Sequence, residues 1–241
     1  MKATPLRFLL LALTTPLLAL ACTGTETGNP PFDGTMSYNA HSSDPARAAL
    51  GEPSGGALVE ALWLNLGDAE LELCAGAAIT LPGIGVADHA GADAAMDAFL
   101  GEEGRYCRAR LRFEPTEDGG GGPAELAGRS VLVRGRDAMD RPFEIALALE
   151  RTVSVTFDAE LDLGEDAPSL LFGFDVARWV GDLDLASAEA DADGVVRVNA
   201  ESNARLQAAF EAALAGGVEL YRDLDADGVA QPDDPLVGRG E

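Results

Sequence analysis

The chain has 241 residues, 47% of them apolar, and carries 41 acidic side chains against 17 basic ones for a formal charge of −24. That is enough chain and enough apolar content for one large domain or two small ones. The acidity excludes binding to nucleic acid or to anionic headgroups through bulk charge, while it favours cations and basic partners.

Lys2 and Arg7 precede an apolar run from Phe8 to Ala21, which ends in Leu18-Ala19-Leu20-Ala21-Cys22. The run is too short to read as a membrane span. It resembles a bacterial lipoprotein signal, in which a peptidase cuts ahead of a cysteine whose thiol carries diacylglycerol; Ala19 stands where Leu or Val is commonest. Residues 1–21 are therefore expected to be a signal peptide, with Cys22 the lipidated N-terminus and palmitate among its acyl groups. Thr23, where an Asp would retain the protein, directs it by the same resemblance to the outer membrane. The mature chain would hold 15 basic residues against 41 acidic ones, a formal charge of −26, because the signal holds only Lys2 and Arg7. Residues 22–55 are rich in Gly, Pro, Ser, Thr and Asn and read as a flexible tether.

With Cys22 occupied, Cys74 and Cys107 form one even pair in an oxidising compartment. A disulfide between them is expected, with two separate buried thiols as the alternative. Residues 56–241 read as a single, mainly β domain: an antiparallel β-sandwich, immunoglobulin-like or related, with a C-terminal helix and an Asp-rich tail. Leu62, Leu64 and Leu66 alternate on one side of a first strand. A Gly67-Asp68 turn then leads to Leu71 and Leu73 opposed to Glu70 and Glu72, predicting a hairpin or two successive strands. Trp63 falls opposite the leucines, as core of a second layer or as an exposed aromatic. A short helix is possible over 87–100, placing His89, Asp93 and Asp97 on one face at metal-binding spacing, with no further ligand to nominate.

Arg105 to Phe113 alternates Cys107, Ala109, Leu111 and Phe113 with Arg108, Arg110 and Arg112, so the cysteine face points inward. The arginines either bind a small anion or pair with Glu70 and Glu72. Strands are predicted at 130–134, 143–150, 152–157 and 170–175, then a helical turn from Val176 to Val180 carrying Trp179. A helix over 201–214 turns Leu206, Phe210 and Leu214 to one face, and a short segment follows from Val218 to Tyr221. The order of parts resembles a group of uncharacterised lipoproteins of myxobacteria and their relatives. The shared parts are a lipobox with a Gly-Asn-Pro tether, the Cys74 strand, Arg105-Tyr106-Cys107-Arg108, Phe174-Asp175-Val176-Ala177-Arg178-Trp179, the Asp193-Gly194 turn, a late helix and an Asp-rich tail. The resemblance implies the architecture and no activity.

The tail can be set against the calcium loop D-x-[DN]-x-[DN]-G-x5-E. Asp223, Asp225 and Asp227 fill the first three ligand positions, Gly228 the sharp turn, Val229 the carbonyl position, Gln231 the direct or water-mediated position and Asp234 the last. An aspartate in place of the bidentate glutamate, with Pro232 and Pro235 nearby, implies a weak site on the order of 10⁻⁴ to 10⁻³ M. Glu189, Asp191, Asp193 and Gly194 echo the spacing but run into a strand. No nucleophile elbow, zinc-protease helix, phosphate loop or dinucleotide fingerprint occurs, and only His41 and His89 exist. The expected function is a lipid-anchored envelope binding or structural module, stabilised by calcium, reaching the membrane through its diacylglycerol and taking a protein or glycan partner. The alternatives are an envelope hydrolase built on paired carboxylates and a metal-binding envelope protein.

Overall fold

The computed structural model describes residues 29–51, 56–91, 95–164 and 169–241. Cys22, Asp93 and the two ends of the expected tether lie outside these residues. In chain order the strands are β1 (Pro31–His41), β2 (Ala48–Leu50), β3 (Ala57–Leu73), β4 (Ala78–Leu81), β5 (Gly85–Asp88), β6 (Ala95–Glu102), β7 (Gly104–Phe113), β8 (Val131–Arg136), β9 (Pro142–Leu147), β10 (Arg151–Leu163), β11 (Ser169–Asp175), β12 (Val196–Val198), β13 (Val218–Asp223) and β14 (Leu236–Gly240). Two α-helices, α1 (Val176–Trp179) and α2 (Ala204–Leu214), lie between β11 and β13.

The strands form one curled mixed sheet in the order β12-β9-β8-β3-β7-β10-β14-β13-β11-β1-β6, with β2, β4 and β5 added along β3. The expected β content and C-terminal helix are present. A purely antiparallel arrangement is not: β1 runs parallel to β11, β2 to β3 and β12 to β9.

β3 organises the curl. The predicted turn at Gly67-Asp68 is instead a bulge inside one 17-residue strand. Pairing on both flanks holds the strand through these two residues, and Gly67 has no Cβ to collide with the Glu114 carboxylate, which would lie 2.8 Å from it. On one flank, residues 58–64 pair with β8 and residues 66–73 with β7, so the bulge is where the sheet divides into two wings. Leu62, Leu64, Leu66, Leu71, Leu111, Phe113, Val153 and Val155 fill the enclosed face. On the outer face Trp63 is half-buried against a small second cluster of Leu126, Leu132 and Ala146, the second-layer role expected of it.

Three expectations are corrected. The tether is not one over 31–50: Phe32, Met36, Tyr38 and Ala40 of β1 alternate into the core, and β1 is a full strand between β11 and β6. The helix expected over 87–100 gives way to the end of β5 and to β6, because Ala95 to Glu102 pair residue by residue with β1 and this ladder overrides the helix propensity of alanine. Cys107 does not point inward. Tyr106 takes that position, since β7 shifts register opposite Glu72 and Leu73, and Cys107 lies half-buried in a disulfide with Cys74. Two of the three arginines pair as the second reading held, Arg110 with Glu70 and Glu72 and Arg108 with Glu72, while Arg112 pairs with Glu114 and Glu150 instead.

α1 is short but well determined. Asp175 caps it by accepting from the Ala177 amide at 3.0 Å. Trp179 is fully buried and its indole N–H donates to the Leu214 carbonyl at 2.9 Å, which ties α1 to the end of α2, where Phe210 and Leu214 face the core.

Candidate functional site

Polar chemistry concentrates on β13 and its neighbours. Successive outward positions of this strand are Glu219, Tyr221 and Asp223, because side chains alternate across the pleat. The first two belong to a buried carboxylate hub and the third opens the Asp-rich loop, so one strand positions both.

The hub is a rung running across four strands, from Asn39 of β1 to Gly173 of β11, Glu219 of β13 and Arg239 of β14. Gly173 is required by closeness: a Cβ there would lie 2.9 Å from the Tyr221 ring and 3.0 Å from the His41 ring. Its absence lets both rings lean over β11 and meet edge to face at 5.6 Å. Glu219 is 1% exposed. It accepts from Arg239 Nε at 2.6 Å and from the Tyr221 hydroxyl at 2.5 Å. His41 Nε2 lies 3.0 Å from Glu219 Oε2. Burial alone would raise the Glu219 pKa. The interactions with His41, Tyr221 and Arg239 outweigh it and hold the carboxyl at about 2. Tyr221 moves the other way, pushed up first by burial and then by its bond to the carboxylate.

Beside the hub, Asp175 is fully buried, accepts hydrogen bonds from the Ser43 and Ala177 amides and the Ser43 hydroxyl, and pairs with Arg178 Nε at 3.2 Å. Ser43, Arg47 and Arg178 line an open cleft of about 330 Å³ closed by Ala212 and Gly216 behind α2. The arrangement surrounds both carboxylates with strong donors and holds Glu219 ionised, which suits an electrostatic framework and leaves Glu219 no proton to give as a general acid.

Sequence reading missed this hub because its members come from strands that only the sheet brings together. His41 lay within the expected tether. The Arg178 to Asp175 spacing on a helical turn was the one local signal.

At the end of β13 the structure brings Asp223, Asp225 and Asp227 together, with one carboxylate oxygen of each within 4.8 Å of the others. Asp223 Oδ2 accepts from the Gly228 amide at 3.0 Å, while Oδ1 is buried with no hydrogen-bond partner. Desolvation, the first cause, and the nearby Asp234 and Asp227 raise the Asp223 pKa. The Gln231 side-chain amide donates to Asp225 Oδ2 at 3.0 Å and to Asp227 Oδ2 at 2.8 Å. The Val229 amide donates to Asp227 Oδ1, so Val229 meets the cluster through its N–H. Asp234 does not join the three. It accepts from the Leu224 amide at 3.0 Å and the Gln231 amide at 2.9 Å, and so ties the loop's two ends together. Ala226 and Gly228 both adopt positive φ, at 58° and 73°, which turns the chain sharply enough for the carboxylates to converge.

The echoing loop at 191–194 differs in one respect that decides its chemistry. Arg197 donates to Asp191 at 2.7 Å and to Asp193 at 3.0 and 2.7 Å. The guanidinium holds Asp193 down at about 2, so this loop carries its own cation. Among the described residues His89 joins no cluster of metal-ligating side chains. It is buried, its Nδ1 sits 3.2 Å from the Tyr38 carbonyl, and its backbone N–H and C=O pair with Leu62 and Ala40.

No family model, no curated protein and no solved structure matches the chain.

Proposed function

We propose that this chain is a lipid-anchored module of the cell envelope, held to the outer membrane by diacylglycerol on Cys22, whose β body serves as a binding or structural unit for a protein or glycan partner. The single observation that carries this reading is the Leu18-Ala19-Leu20-Ala21-Cys22 motif placed just ahead of a folded body that begins at Pro31. Nine residue steps from Cys22 to Pro31 span at most about 30 Å. The anchor would therefore hold the body near the headgroups, and the start of β1, paired with the end of β6, would face the membrane. The likeness to uncharacterised myxobacterial lipoproteins agrees with this order of parts. The rival hydrolase reading draws less support, because Glu219 and Asp175, the buried carboxylates nearest the cleft, are saturated by donors.

Fractionation of cells expressing the wild-type chain and Cys22→Ser tests the anchor. The wild type is expected in the membrane pellet after a high-salt wash and the variant in the soluble fraction, since no helix among the described residues is long and apolar enough to cross a membrane. A variant that stays in the washed pellet would defeat the reading.

A further inference from the structure

We infer that the loop from Asp223 to Asp234 binds one calcium ion through Asp223, Asp225 and Asp227, and that the Gln231 side chain plugs the site until the ion arrives. The inference stands apart from the lipid anchor and uses only the geometry of the loop.

Two independent observations meet here. Three carboxylates converge within 4.8 Å without a cationic side chain among them. Separately, Asp223 is 1% exposed and its Oδ1 has no hydrogen-bond partner. A buried carboxylate oxygen without a protein donor carries the full desolvation penalty of an unmade hydrogen bond, and it calls for a partner outside the protein, a water or an ion. The comparison within the chain is informative. At 191–197 the same density of aspartates is neutralised by Arg197, with three short contacts. At 223–231 the equivalent partner is a neutral amide, which supplies donors to Asp225 and Asp227 but no charge. The first loop is complete and the second lacks a cation.

Gln231 also suits a switch between the two states. Its Nε2 faces the carboxylates, and rotation about the terminal side-chain bond would exchange that donor for Oε1, an oxygen of the kind calcium takes. Asp234 is occupied by the Leu224 and Gln231 amides and acts as a positioning residue that holds the loop's neck, in place of a last bidentate ligand. A site with three monodentate carboxylates, a carboxamide and water is oxygen-only and irregular. It favours calcium over magnesium, which demands a tight octahedron, and places the dissociation constant on the order of 10⁻⁴ to 10⁻³ M.

The test is calorimetric titration of the full chain in detergent with calcium chloride, together with melting temperatures in calcium and in chelator. The wild type should give a saturable heat and melt higher in millimolar calcium. Asp225→Asn with Asp227→Asn, both at exposed positions, should weaken binding at least tenfold and abolish the melting shift. Gln231→Lys should install the missing cation, remove calcium binding and leave the melting temperature in chelator unchanged or raised. Asp191→Asn with Asp193→Asn should bind calcium within twofold of the wild type. The proposal is overturned if the wild type shows neither heat nor melting shift in millimolar calcium, or if the Asp225/Asp227 variant keeps wild-type affinity. Should that variant prove unfolded by circular dichroism, Gln231→Lys decides: undiminished calcium binding by it overturns the proposal equally.

Discussion

His89 shows how a single buried side chain makes the fold sensitive to pH. Burial, the dominant cause, lowers its pKa from 6.5 to about 4 despite the nearby Tyr38 carbonyl and Asp88. The folded ring therefore stays neutral while the unfolded chain takes up a proton near pH 6.5, so stability is full above that value and falls as pH drops from it to about 4. The loss should reach about 2 kcal/mol by pH 5 and about 3 kcal/mol over the whole window. Glu219 adds a separate loss at lower pH. Its folded pKa of about 2 lies below the ordinary 4.5, so that its stabilisation is lost as pH falls from about 4.5 towards 2. Urea unfolding at pH 7 and pH 5 of the wild type and His89→Gln isolates the share of His89, since every other titrating group is common to the two proteins; an equal loss in both would acquit the histidine. Gly173→Ala probes the hub sterically. The added methyl must displace the Tyr221 or His41 ring, at an expected cost of about 1–3 kcal/mol in urea unfolding at pH 7, and a neutral result would mean the rings are free to move. At this scale the Asp223, Asp225 and Asp227 set was legible, because its spacing is local. The Glu219 hub was not, since Asn39, Gly173, Glu219 and Arg239 meet only through strand register.

Elements with plain alternation were read where they lie: β7, β8, β9, β10 and β11 each overlap a predicted strand, and Phe210 and Leu214 mark the buried side of α2. β1 was not, although Phe32, Met36, Tyr38 and Ala40 alternate in it. Its alternate positions are Asp33, Thr35, Ser37 and Asn39, and Gly34 interrupts the apolar face, a composition that reads as linker until β11 and β6 supply partners on both sides. This difference has a direct consequence. A chain shortened to begin at residue 56 should fail to fold, because it strips β11 of one neighbour and β6 of its partner β1 and removes Phe32, Met36, Tyr38, Ala40 and Ala48 from the core; a cooperative thermal transition for it would show that β1 is dispensable. The disulfide spans 33 residues between the end of β3 and β7. On the chain-entropy estimate it contributes about 3–4 kcal/mol. Reduction should lower the melting temperature, and Cys74 and Cys107 should resist alkylation in the denatured, unreduced protein.

Across the whole molecule, a formal charge of −26 for the chain from Cys22 onward is borne on a sheet in which the buried Asp137, Asp175 and Glu219 are matched to arginines and hydroxyls. At the end of β13 the buried Asp223 and the exposed Asp225 and Asp227 gather in a loop that lacks its own cation. An acidic body held within about 30 Å of a lipid surface is repelled by anionic headgroups and responsive to divalent ions. The sequence motif that would place it there is local and fully legible, whereas the nearness of the folded body to Cys22 along the chain became visible only once β1 replaced the tether. Intact mass analysis of the protein purified from membranes, with sequencing of its N-terminal peptide, tests the anchor most directly. The mature chain should begin at Cys22 and carry the mass of a diacylglyceryl group on that residue; a chain that begins elsewhere, or an unmodified Cys22, would contradict the account.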